Sequence, residues 1–211
     1  MKNFFEYLRW VLDLTPEARC RRILRRIRLR PGDIAIDCGA NVGDMTMILA
    51  EGGADVHAFE PNPYAFEVLR KRFADAPHVT CHNAAVGSTS GRMALYLHKD
   101  SHENEVSLSN GSSLLRDKPN VSPERSIEVE VVDLVKFLKG LGKPVRVLKI
   151  DIEGSEVELM EHFIDEGCLP LAQKIFVEVH DAKIPSLVEP TARLRERLAK
   201  DGASHVSLDW V

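Results

Sequence analysis

No apolar run in the 211 residues approaches the roughly 20 that a membrane-spanning helix requires, so an integral membrane protein of that kind is excluded. The four cysteines (Cys20, Cys38, Cys81, Cys168) show no CxxC spacing. That argues against a zinc cage and a disulfide framework, and for a reducing compartment. The opening segment MKNFFEYLRWVLDL carries Glu6 and Arg9 inside its apolar stretch and no small-residue cleavage site, so a cytoplasmic protein is expected. A GxxxxGK[ST] phosphate loop is missing, as is a Tyr-x-x-x-Lys pair around Tyr7, Tyr64 or Tyr96. A P-loop nucleotidase and an NAD-dependent sugar oxidoreductase are thereby disfavoured.

What is present is an ordinary globular balance, 44% hydrophobic and 28% charged, at a length that suits one sizeable domain. The charge is uneven. Residues 1–30 hold nine basic side chains against three acids, while the whole chain carries −4, leaving an acidic remainder. Such an arm could meet nucleic acid, anionic lipid or a phosphorylated ligand. Aromatic residues are not interleaved with its arginines, as a single-strand binder would need. A solvated helix paired to the acidic body is the preferred reading.

Thr15-Pro16-Glu17 reads as an N-cap, a proline at the first helical position and an acid in the first turn, with Pro31-Gly32 as the stop. Phe4, Leu8, Val11 and Leu12 suggest a shorter amphipathic helix before it. From Asp33 onward, strands are expected at 33–38, 55–60, 79–86, 92–97, 145–152, 174–180 and 205–211, separated by helices at 44–50, 64–73, after 152 and at 191–200. This alternation predicts an α/β fold with a mainly parallel central sheet flanked by helices. The division is a basic helical extension over 1–30 and one domain over 31–211. Residues 98–126 are polar and aperiodic, and are read as a lid loop or a floppy insertion.

Asp37-Cys-Gly39-Ala-Asn41-Val-Gly43 falls at a strand-to-helix turn, where the backbone can approach a ligand and the helix N-terminus offers free N–H groups. Glu60, 23 residues after Asp37, ends the next strand, where a carboxylate can take both ribose hydroxyls. The dinucleotide fingerprint needs glycine where Asn41 stands, which disfavours NAD and FAD. S-adenosylmethionine (SAM) has a ribose and no phosphate, and fits by exclusion. A tight turn with a capping glutamate is the plain alternative.

IDCGANVGDMT (36–46), AFEPNP (58–63), NAAVG (83–87), SSL (112–114), LKIDIEGSE (148–156) and VEVH (177–180) resemble the FkbM family of class I SAM-dependent methyltransferases, over residues 33–180, about 70% of the chain. The resemblance implies the Rossmann-like methyltransferase fold and methyl transfer, typically to a hydroxyl of a sugar or polyketide-like molecule. It implies Asp37, Gly39, Asn41, Gly43 and Thr46 around the methionine end of SAM, and Glu60 with Asn62 at the ribose. Asn83 and Ala84 would lie near the adenine, Asp151 would also touch the cofactor, and Ser112 and Ser113 would face substrate. Class I sheets normally finish with an antiparallel strand pair, of which only 205–211 remains. A truncated chain, or a last strand supplied by a partner subunit in a homo-oligomer, would account for the rest.

Lys149, Asp151 and Glu153 end one strand, and Glu178 and His180 end another, with period 2 setting each group on one side. If the strands are neighbours, the five converge as a catalytic cluster. Packed acids raise one another's pKa, and a nearby lysine opposes that. His180 or Glu153 is expected as the base that takes the acceptor proton, Asp151 to orient substrate or meet SAM, and Lys149 to fix the carboxylates. A structural ion pair, a helix-start acid and a core histidine are the plain readings of the same residues. Asp151, Glu153, Glu178 and His180 could also hold Mg²⁺ or Mn²⁺, though no ligand spacing demands a metal.

The expected activity is O-methylation of a small-molecule or glycan acceptor. A non-catalytic SAM- or nucleotide-binding module is one alternative. A nucleic-acid methyltransferase is the other, but the chain has no Pro-Cys pair, and Asp151-Ile-Glu-Gly154 stands where amino-directed enzymes resemble one another in [DNS]PP[YFW].

Overall fold

The computed structural model describes residues 15–100, 111–116 and 118–210, so the helix expected around Phe4–Leu12 lies outside the described residues. Thr15 caps helix α1 (Pro16–Ile27) by accepting the Ala18 N–H at 3.1 Å, with Pro16 in the first turn, as the Thr-Pro-Glu pattern requires. The chain then runs β1 (Ile34–Cys38), α2 (Asp44–Ala50), β2 (Asp55–Phe59), α3 (Pro63–Arg72), β3 (Val79–His82), β4 (Ala85–Gly87), β5 (Gly91–His98) and β6 (Val121–Asp133). It continues with α4 (Leu134–Leu141), β7 (Val147–Ile150), α5 (Glu156–Asp165), β8 (Ile175–Val177), α6 (Val188–Lys200) and β9 (Val206–Ser207).

Six strands form a sheet in the order β3-β2-β1-β7-β8-β9, with every neighbouring pair parallel. Parallel strands covered on both faces read as unbroken apolar runs, and β1 and β7 are buried along their whole length. Period 2 divides β1 between the faces. Ile34, Ile36 and Cys38 pack with Leu148, Ile150 and residues of α4, α5 and α6, whereas Ala35 packs with Cys20 and Leu24 of α1 and Ile48 and Leu49 of α2. The order reverses between β1 and β7. At such a switch the loops diverge from the strands' carboxyl ends and leave a crevice, the usual ligand position in an open α/β sheet.

Several expected elements differ. The single strand over 79–86 is two, broken at Asn83-Ala84: β3 stays in the main sheet and β4 leaves it. With β5 and β6, β4 builds a second sheet in the order β4-β6-β5, so the strand expected at 92–97 belongs there as well. β6 removes residues 121–126 from the expected lid. Its signal was the alternation Ile127-Glu-Val129-Glu-Val131, whose apolar members pack under Leu95 while the glutamates face out. Residues 101–110 lie outside the described residues, and 111–116 are tied down by an antiparallel bridge between Ser113 and Tyr96. The final strand pairs in parallel with β8, and a single antiparallel bridge, Glu178 to Asp209, follows it.

Candidate active site

The switch point is built around a buried ion pair. Asp37 of β1 and Lys149 of β7 are register partners, and the lysine ammonium lies 3.1 Å from the Asp37 carboxylate. It also donates to the Gly39 carbonyl at 2.9 Å and lies 3.3 Å from Asp151. Burial opposes its charge, but Asp37 and Asp151 outweigh that and hold the Lys149 pKa above its ordinary value. The second Asp37 oxygen accepts the Thr46 hydroxyl at 2.7 Å. Asp37 and Thr46 are therefore engaged beneath the site rather than open to a ligand ammonium. Gly43 serves packing: a Cβ there would stand 2.6 Å from the Phe73 ring and 2.7 Å from Leu69.

Gly39 has φ 77°, and a Cβ on it would come within 1.7 Å of the Asp151 carbonyl oxygen. Only glycine lets the β1 and β7 ends approach so closely. Asn41, also left-handed at φ 49°, turns its N–H onto Glu60 at 2.8 Å, and the Asn62 N–H meets the other Glu60 oxygen at 2.8 Å. Each carboxylate oxygen thus keeps a lone pair for a further donor. Burial pushes the Glu60 pKa up to about 7 against those two bonds and the more distant Lys149 charge. Asn62 caps α3 through Tyr64 N–H and donates to Ser112 Oγ at 3.3 Å. Asn83 holds the backbone of the neighbouring turn by donating to the Glu60 and Pro61 carbonyls.

A cavity of about 620 Å³ opens at these strand ends. On one side it is lined by Gly39, Asn41, Glu60 and Ala84, and on the other by Asp151, Glu153 and Glu178, with Leu95, Ser112 and Lys118 closing the wall. The second sheet, which periodicity did not reveal, thus supplies part of the enclosure. Among the expected site residues, Asp37, Gly43, Thr46, Asn62, Asn83, Ser113, Lys149 and His180 stand behind the lining rather than in it.

His180 sits at the centre of the acidic cluster, 1% exposed. Its Nδ1 is 3.0 Å from Glu156, and its Nε2 lies 3.2 Å from Glu153, 3.7 Å from Glu178 and 3.8 Å from Asp151. Burial favours the neutral ring, but bonds to Glu153 and Glu156 prevail and raise its pKa to about 10. Both ring nitrogens therefore face carboxylates, and the ring's proton affinity is raised at the position where the sequence reading expects a base. For Glu153 burial works upward, yet His180 and Lys118 hold its carboxyl below the usual range. Asp151 goes the other way. Burial dominates, Lys149 opposes, and Glu178 and Glu153 add repulsion, leaving its pKa at about 6 with the side chain a quarter exposed to the cavity.

Ligand atoms of Asp151, Glu178 and His180 lie within 4.8 Å of one another. His180 Nδ1 faces Glu156 and its Nε2 faces Glu153, so an ion held by these three residues would compete with Glu153 for Nε2. Two members of the site escaped the sequence reading. Glu156 closes the LKIDIEGSE run but has no role of its own in that reading; Lys118, buried against Glu153 and the Gly111 carbonyl, had no periodic or motif signal.

Residues 37–203 match the methyltransferase FkbM domain. Among curated relatives, the chain is 32% identical over 197 residues to the 31-O-demethyl-FK506 methyltransferase FkbM of Streptomyces tacrolimicus, covering 80% of this chain and 73% of the relative. It is 27% identical over 196 residues to the hexuronic acid methyltransferase AglP of Haloferax volcanii, covering 90% and 74%. A solved methyltransferase FkbM from Methylobacillus flagellatus aligns at 18% identity with a TM-score of 0.41, over 64% of this chain and 30% of that one.

Proposed function

This chain belongs to the FkbM family of SAM-dependent methyltransferases, and we propose that it methylates a hydroxyl oxygen of a sugar or polyketide-like small molecule. One observation carries the reading: a single cavity joins the Gly39–Asn41–Glu60 turn to the carboxylates of Asp151 and Glu153. Nucleoside and acceptor would lie side by side within reach of a proton acceptor. The names of two relatives, one acting on a demethylated FK506 and one on a hexuronic acid, support a small oxygen-bearing acceptor.

Glu60 fits a ribose because both its oxygens keep a free lone pair, and Phe59, Pro61 and Ala84–Val86 give the adenine an apolar wall. SAM supplies a methyl group on a sulfonium, and everything else falls to the protein. Asp151 is the general base: its pKa of about 6 leaves it ionised at neutral pH yet still able to take a proton. Lys149 steadies Asp151 from below, and Glu153 orients the acceptor's other hydroxyls from the cavity wall. Positioning and exclusion of water do the larger share of the work.

The test is a mass-spectrometric screen of sugar and polyketide alcohols for a gain of one methyl in the presence of SAM. Methylated product on any of these classes supports the reading. SAM binding without transfer to any of them would favour a non-catalytic binding module.

A further inference from the structure

The turn between β7 and α5 is strained and yet carries two cavity-lining acids. Glu153 adopts φ 62°, a left-handed conformation that costs a residue with a side chain about 1 kcal/mol. Gly154 follows at φ 127°, and a Cβ there would stand 2.7 Å from Leu115 and 3.0 Å from Ile184. Ser155, the N-cap of α5, makes no side-chain cap bond among the described residues. Glu156 does that work from inside. Fully buried, it accepts the Ile152 N–H at 3.0 Å and the Gly154 N–H at 3.0 Å, while His180 Nδ1 lies 3.0 Å from the same carboxylate. The kink so fixed turns the Glu153 carboxylate onto Lys118, and Ser113 Oγ donates to the Glu153 carbonyl at 2.7 Å.

We propose that Glu156 is a positioning residue: by spanning the Ile152 and Gly154 amides and backing His180, it holds Glu153 against Lys118, so that Ser112 and Lys118 close the acceptor side of the cavity. The assignment rests on the reading of that cavity as the acceptor site. Glu156 touches neither ligand; it acts through Glu153. His180, expected above as a base, becomes the bridge between the two glutamates.

The probe is acylation of Lys118 by N-hydroxysuccinimidyl acetate, followed by peptide mass spectrometry with exposed Lys136 as internal reference, so no acceptor is needed. In the unaltered protein Lys118 is expected to react at least about tenfold more slowly than Lys136, because only local opening exposes it. Glu156→Gln keeps the reach of the side chain and should preserve that protection. Glu156→Asp keeps the acid but is too short to span both amides, and should bring Lys118 within about threefold of Lys136. Gly154→Ala displaces the same turn without altering Glu156 and should expose Lys118 likewise. Calorimetric SAM affinity should stay within about twofold throughout, which a general loss of fold would not allow. Lys118 remaining protected in folded Glu156→Asp, or in Gly154→Ala, overturns the assignment. A protein that shows this acylation pattern but methylates no acceptor counts against the proposed function alone.

Discussion

Asp151 and Glu153 sit two residues apart, both at the cavity, and their surroundings drive them to opposite proton affinities. Asp151 is lifted to about 6 by burial and two neighbouring acids, whereas cationic His180 and Lys118 hold Glu153 low. A base must be deprotonated to work, so turnover should rise with pH through about 6 and level off above it. Asp151→Asn should lower kcat by about 10²- to 10⁴-fold, and initial rates against pH with a screened acceptor check both expectations. Glu60 is the residue proposed to hold the ribose. Its two ribose bonds would each contribute about 1.5–3 kcal/mol, so Glu60→Ala should weaken SAM at least about a hundredfold by calorimetric titration. The Asp-x-Glu-Gly spelling announced both acids, but not which holds its proton more tightly, because that depends on Lys118 and His180 arriving from distant segments.

At the scale of the elements, the close contact of the β1 and β7 ends decides whether a site exists. Gly39→Ala would drive a methyl group into the Asp151 carbonyl, and a loss of roughly 1–3 kcal/mol or more in urea-unfolding stability is expected. Gly140→Ala, in helix α4 with open space around it, should be neutral or stabilise by up to about 1 kcal/mol in the same assay. The strands β1, β2 and β7 and the capped helix α1 were legible because local rules govern them: short runs rich in apolar residues, and Thr15 followed by proline. The second sheet was not. β4 has three residues, and β6 hid inside a polar stretch because one of its faces is exposed.

For the molecule as a whole, the buried charges make stability depend on pH. The His180 pKa is raised from 6.5 to about 10 in the folded protein, so the native state binds this proton more tightly than the unfolded chain does. Its contribution is therefore complete below pH 6.5 and disappears as pH climbs through 10. Thermal melts should show Tm falling from pH 7 to pH 10, and His180→Asn should flatten that alkaline slope. A slope unchanged in the variant would mean that other groups carry it. Helix α1 belongs to the same body, since Cys20 and Leu24 share a core with Ala35, Leu49 and Trp210; its arginines lie on the outer face, and Arg25 pairs with Glu51 at 2.7 Å.

The order of residues alone determined the alternation of strands and helices, the glycine turn after β1 and the acid that ends β2, because each depends on neighbours within a few positions. The tertiary structure decided which acids hold their protons more tightly, which side chains are tied to buried partners and which face the cavity. Those outcomes depend on groups drawn together from residues 37, 118, 149, 156 and 180, and a buried group's affinity for a proton is set by charges near it in space, whatever their distance along the chain.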